Sequence, residues 1–181
     1  AADIDDAPVI AAKRFWVHHR MPEAAIEWLD AALMGGWVRE GHAVVSGDLD
    51  DRPFTGTDGR FEARGRIDDG QFRFQPDWPE LDGVAADVAF IGNGFDIHGK
   101  GDLMGVDIGH FSAAIEDFSE AELKIQAKSE SEASRLLAML RQSSLQRTHG
   151  DTMDHLVASG PVKVDFELLQ PLHQHRPVQR K

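Results

Sequence analysis

Between Trp37 and Ala127 the apolar side chains recur at every second position, and a chain patterned that way can bury them together only as the strands of a sheet. In Arg60-Phe61-Glu62-Ala63-Arg64-Gly65-Arg66-Ile67 charged and apolar residues alternate, so one face is buried and the other is wet. Gln71-Phe72-Arg73-Phe74-Gln75 repeats the pattern after Asp69-Gly70, which predicts a turn between two strands. Val84, Ala86, Val88 and Phe90 run into Gly92-Asn93-Gly94, with Phe95 and Ile97 beyond, and this is a hairpin signature. Val106 and Ile108 keep one parity whereas Phe111, Ala113 and Ile115 keep the other, which places a bulge or bend at Gly109-His110. Leu123, Ile125 and Ala127 follow, and Val162-Lys163-Val164-Asp165-Phe166-Glu167-Leu168 is again strictly alternating. Roughly eight strands are expected from this spacing.

Two stretches break the period. Pro22 suits the first position of a helix, Glu23 complements the helix dipole, and Ile26, Leu29 and Leu33 recur at helical spacing until Gly35-Gly36. This predicts a helix over 22–34, with Glu23, Glu27 and Asp30 on its outer side. Ser129 and Glu132 read as a capping box ahead of Ala133, Leu136, Leu137 and Leu140, which predicts a second helix over 130–142 with Arg135 and Arg141 facing solvent. Residues 1–20 read as an irregular acidic lead-in with one short extended piece, and 143–160 carry little periodicity. The folded unit is expected over 21–169, and 170–181, with His173, His175 and three basic residues, as a disordered tail.

Composition excludes several functions. Nineteen basic against 31 acidic residues give a formal net charge of −12, which repels a nucleic-acid backbone or an anionic bilayer, so no nucleic-acid partner is expected. The absence of cysteine removes disulfides, thiolate nucleophiles, iron–sulfur clusters and cysteine zinc sites. The opening residues predict no targeting segment, since Asp3, Asp5 and Asp6 precede the first basic residue, Lys13. No apolar stretch approaches bilayer length. With no initiator methionine, the chain is expected to be a processed or internal piece of a longer polypeptide.

Chemistry-bearing motifs are sparse. Carboxylate pairs such as Asp50-Asp51 and Asp68-Asp69 read as turn and solubilising charge. Adjacent His18-His19 would point oppositely in a strand, and His173 with His175 falls in the tail, so no metal is expected. Gly92-Asn93-Gly94-Phe95-Asp96 echoes one calcium-binding nonapeptide without a second copy, so a hairpin turn explains it better. GxSxG, GxxxxGK[ST], HExxH and dinucleotide-binding glycine patterns are all missing. No cofactor, no catalytic residue and no enzyme activity are expected. Trp28 reads as core packing of the first helix on the sheet, Trp37 opens the first strand, and Trp78 sits in a Gln75-Pro76-Asp77-Trp78-Pro79 turn.

The arrangement poses a covering problem. Eight strands make a sheet ~38 Å wide, and two helices each ~20 Å long and ~10 Å across shield only part of its apolar face. That face curls into a barrel or trough, meets another copy, or holds an apolar ligand, and periodicity does not choose among these.

Four stretches carry a resemblance. Trp28-Leu29-Asp30-Ala31-Ala32-Leu33, then Ser46-Gly47-Asp48-Leu49-Asp50-Asp51-Arg52-Pro53-Phe54, then Trp78-Pro79-Glu80-Leu81, then Phe90-Ile91-Gly92-Asn93-Gly94 resemble the YhdP family of AsmA-like proteins of Gram-negative bacteria. The resemblance covers roughly residues 15–169, and the tail departs from it. It implies a mainly β fold with two short helices and a curled antiparallel sheet forming a groove. It implies further that the chain is one periplasmic segment of a larger protein anchored in the inner membrane, the parts that meet the membrane lying elsewhere. The implied function is carriage of phospholipid along an apolar groove between inner and outer membranes, the acyl chains being the partner. Phe61, Ile67, Phe72, Phe74, Val88, Phe90, Phe95 and Ile97 are then the candidate acyl-chain surface. The alternative is a structural or assembly domain with a closed apolar core and no ligand; a hydrolase using Asp and His is a weaker third.

Overall fold

The computed structural model describes residues 1–15, 23–48, 59–120 and 122–171. His18, His19, Pro22, Asp50, Asp51, Phe54 and the tail beyond Pro171 lie outside the described residues. Eight strands form one antiparallel sheet in the order of the chain: β1 (Ala2–Pro8), β2 (Leu33–Ser46), β3 (Arg60–Phe72), β4 (Leu81–Ile91), β5 (Gly94–Leu103), β6 (Val106–Ile115), β7 (Glu122–Glu132) and β8 (Pro161–Pro171). The sheet is not closed, because among the described residues β1 pairs with β2 alone and β8 with β7 alone. A 3-10 segment, Val9–Phe15, follows β1; α1 (Glu23–Ala32) precedes β2; α2 (Ala133–Leu140) and α3 (Ser144–His155) lie between β7 and β8. No described helix is long and apolar enough to cross a membrane.

The first helix forms for the reasons its spacing suggests. Ala25, Ile26, Leu29 and Ala32 are buried on one side, while Glu27 and Asp30 are exposed. It ends at Ala32, however, and Leu33 already belongs to β2. Gly35-Gly36 is not the helix terminator but a bulged start to the strand, with the register shifting on either side of Gly35. Gly36 has φ +107°, and a Cβ there would lie 2.6 Å from Gly70 Cα, so only glycine lets the strands pass.

Four other expectations are corrected. Residues 2–8 are a strand rather than an irregular lead-in, zipped to β2 by backbone pairing and by Arg39 to Asp6 and His42 to Asp3 contacts. Asp69-Gly70 does not divide two strands. It is a bulge inside β3, with Asp69 at φ +52° and Gly70 facing Val84. The second helix begins at Ala133 and not at residue 130, because β7 keeps pairing with β8 as far as Glu132 opposite Pro161. The capping box is dissolved accordingly: Ser129 Oγ donates to the Asp107 carbonyl at 2.6 Å, and the Glu132 carboxylate accepts from the Gly160 amide. Arg141, expected in solvent, is half-buried and donates to the Met153 and Leu156 carbonyls, tying α3 to the end of α2. The bulge in β6 falls where parity placed it: Gly99 pairs with Phe111 and Gly101 with Ile108.

The core lies on one face of the sheet, between β3 to β7 and the helices. Val84, Val106, Ile115, Leu123 and Leu29 are at most 1% exposed. The opposite face carries charges in cross-strand rows such as Asp3, His42 and Arg64.

Candidate functional site

Cross-strand register lines up the inner face in rows. One row runs through Phe166, Ala127, Phe111, Gly99, Ala86, Ile67, Val38 and Ala7, one residue from each strand from β8 to β1. A second runs through Leu168, Ile125, Ala113, Ile97, Val88 and Gly65. A third holds Leu123, Ile115, Phe95, Phe90, Ala63 and Ala43. With strands ~4.8 Å apart, the first row is an uncharged hydrocarbon line ~34 Å long.

Over the β5 to β8 half of these rows lies a cavity of about 190 Å³. Phe95, Ile97, Phe111, Ala113, Ile125, Ala127 and Phe166 form its floor and walls. Its roof has three parts: Trp28, Leu29 and Ala32 of α1; Phe74 and Trp78 of the turn at residues 73–80; Leu136, Met139 and Leu140 of α2. Ser129 is the one hydroxyl-bearing lining residue described, and its hydroxyl is committed to the Asp107 carbonyl. Such a cavity excludes water, since a water needs two to four polar partners, and an apolar void of ~150 Å³ takes up an aromatic hydrocarbon the size of benzene.

The turn at 73–80 does more than join β3 to β4. Arg73 N–H donates to the Ala32 carbonyl at 3.0 Å and Trp28 Nε1–H donates to the Phe74 carbonyl at 2.9 Å, fixing the start of the turn on α1. Its far part reaches over the inner face: Gln75 donates to Gln170 of β8 at 3.1 Å, Trp78 meets Phe166 at 6.0 Å between ring centroids, and both terminal guanidinium nitrogens of Arg147 of α3 donate to the Asp77 carboxylate. In a flat sheet β3 and β8 would be five spacings, ~24 Å, apart, so these contacts require the sheet to curl toward its apolar face. The Arg147 guanidinium holds the Asp77 carboxyl below the ordinary carboxylate range.

On the outer face Glu62 has the largest electrostatic perturbation. Hydrogen bonds from Arg64 and then Arg60 bring its pKa down to about 2, and its side chain is only 16% exposed. Asp117 is lowered by the Ser119 hydroxyl and amide and helps seat the β4–β5 hairpin by accepting from Asn93 at 2.6 Å. Neither group faces the cavity. Among the described residues no group of three or more His, Asp or Glu side chains could hold a metal ion.

Of the eight residues singled out from the sequence, Phe72, Phe74, Phe95 and Ile97 line the cavity. Ile67 is buried beside it, opposite Ala86; Val88 and Phe90 are half-buried against the same core, with Phe90 5.0 Å from Phe95. Phe61 stands at the far end of β3 opposite the exposed Val45, outside the cavity lining. Sequence reasoning left out Trp78, Phe111 and Phe166 as lining residues and the whole α2 stripe. Phe111 and Phe166 could have been found from parity, and α2 from its Leu136 to Leu140 spacing; the reach of Trp78 to β8 carries no sequence signal.

A family model described as YhdP protein matches residues 1–181. The chain belongs to the YhdP family. The match spans both edges of the sheet and all three roof elements, and Trp28 and Trp78, which stand in two of the stretches that resemble the family, are parts of the cavity roof. The intermembrane phospholipid transporter YhdP of Escherichia coli (strain K12) is 27% identical over 161 residues, 88% of this chain and 13% of that protein. The chain thus spans about one eighth of the length of this curated YhdP relative. No solved structure matches.

Proposed function

We propose that this chain is one segment of a lipid-transfer bridge, carrying phospholipid acyl chains on the inner face of its sheet between the inner and outer membranes, in the periplasm. The observation that carries the reading is the 190 Å³ cavity walled by hydrocarbon and set on rows of apolar side chains that continue across the strands. Its relative's name, a phospholipid transporter, supplies the class of cargo.

The energetics fit a carrier. Each methylene moved out of water gains ~0.8 kcal/mol, so about five methylenes hold a chain by ~4 kcal/mol without any polar contact. A site without a headgroup pocket binds and releases different lipids with similar ease, as passage requires. The cavity is smaller than the ~300–1,000 Å³ of pockets that enclose a whole small-molecule ligand, so it takes a length of one acyl chain and leaves the headgroup outside. Ile67, Phe72, Phe74, Val88, Phe90, Phe95, Ile97 and, at the far end, Phe61 make the surface along which the chain lies. The anchor and the membrane-contacting parts belong to other portions of the full-length protein.

Native mass spectrometry of gently purified protein tests the reading. Co-purifying phospholipid at defined stoichiometry supports it. A cooperatively folded protein that stays lipid-free after incubation with phospholipid vesicles overturns it in favour of a closed structural domain.

A further inference from the structure

Resting on that reading, we infer that the turn at residues 73–80 is a hinged strap over the cavity, that the acyl chain is admitted between this strap and β8, and that Trp78 is the residue that closes the gap. The strap is built to move as one piece. Arg73 and Glu80 pair across its base, and Trp78 N–H donates to the Gln75 carbonyl at 3.1 Å, so the loop holds its own shape. At the hinge end its backbone is bound to α1 by the Arg73 and Phe74 contacts, and Phe74 packs 5.2 Å from Trp78.

The free end is held differently. Gln75 to Gln170, Asp77 to Arg147 and the Trp78 to Phe166 ring contact link it to β8 and α3. The ion pair is exposed, with side chains 50% and 66% accessible, so water replaces it at little cost. No strand pairing crosses this seam among the described residues, so opening it breaks no sheet hydrogen bond. The α3 side gives way easily as well: none of its residues is buried, and its helix is interrupted at His149. Swinging the strap outward takes Trp78 off the cavity and exposes Phe166 and Ala127 at the rim. The polar pairs that flank the gap lie where a lipid headgroup would remain in water while its chain is inside.

The test locks the seam. The native chain has no cysteine, so Gln75→Cys/Gln170→Cys in the full 181-residue chain offers two thiols for a short bismaleimide cross-linker. Uptake of cis-parinaric acid, whose polyene chain fluoresces on leaving water, is followed by stopped flow, and a thermal melt checks that the cross-linked protein still unfolds cooperatively. The expected result is uptake by the unreacted double variant at the native rate or faster, and a drop of at least about tenfold after cross-linking, the behaviour of a gated site. Asp77→Asn should speed uptake about fivefold, the factor set by losing one weak contact, and Trp78→Ala, which loses the ring contacts to Phe166 and Phe74, at least as much. Unchanged uptake in the cross-linked protein overturns the strap as the way in and leaves lipid binding standing. Failure of every form, native included, to bind the probe overturns both the strap and the lipid reading.

Discussion

Filling the cavity separates an empty space from a packed one. Ala113 of β6 is half-buried, pairs with Ile97 and Ile125, and lines the cavity. Ala113→Leu adds three carbons directed into the 190 Å³ space. Transfer of those carbons from water contributes roughly 2.4 kcal/mol. Fixing the leucine rotamer costs roughly 0.5–1 kcal/mol, leaving a net stabilisation of about 1.5 kcal/mol. For a chain of this size each kcal/mol moves the midpoint by about 2–4 °C, so Tm should rise by about 3–6 °C. In a filled core the same change would overpack and cost about 1–3 kcal/mol. Circular dichroism melts of lipid-stripped protein read the sign, and native mass spectrometry of the unstripped protein reads the lipid. The expected outcome is a higher Tm together with loss of bound lipid. A lower Tm refutes the spare volume; a higher Tm with lipid still bound at native stoichiometry refutes the cavity as its seat.

Three further outcomes follow from the same geometry. Leu29→Ala, at a side chain 1% exposed that anchors α1 over the cavity, should lower stability by about 2–5 kcal/mol in urea titration, since the void it leaves adjoins one already present. Val88→Asp and Phe90→Glu, at half-buried positions of the inner face, should abolish lipid crosslinking while keeping a cooperative melt, and Asp87→Lys on the outer face should change neither; collapse of both inner-face variants would instead mark a dry, sealed core. Glu62 has a folded pKa of about 2 against an ordinary 4.5, so its contribution is complete above about pH 4.5 and is lost as pH falls toward 2. The stability difference between native protein and Glu62→Gln should therefore be largest near neutrality and shrink over that window, and a difference constant down to pH 2 would refute the assignment.

The sheet was legible because solvent on one face and hydrocarbon on the other write a two-residue period into each strand. That logic places Phe95, Ile97, Val88 and Phe90 on one face, where register aligns them. It fails where backbone, not side chains, decides. Asp69-Gly70 carries turn chemistry, yet the close pass of Gly36 against Gly70 absorbs it as a bulge within an unbroken β3. β1 is acidic and ends in a proline, so its strand character comes from the open edge and the basic residues of β2. Ser129 and Glu132 satisfy a helix cap on paper, but the longer ladder of β7 with β8 claims them. The cavity was half legible: its floor follows from parity, whereas its roof depends on a turn meeting a strand that lies 95 residues away at Gln170.

The unbroken neighbour-to-neighbour order of the strands bears on how such a chain can be made and how it can change. Each strand pairs with the one before it, and the connections from β3 to β7 are short, so that part of the sheet can assemble strand by strand as the polypeptide emerges, with little search. A closed barrel would have to wait for its last strand to find its first. Here, among the described residues, the seating of the strap on β8 joins positions 95 residues apart and is laid over a ladder that pairs neighbouring strands alone. The same order means that a hairpin inserted or removed at a turn lengthens or shortens the apolar rows without rethreading any other strand, so the length of the path can be altered independently of the chemistry of its wall.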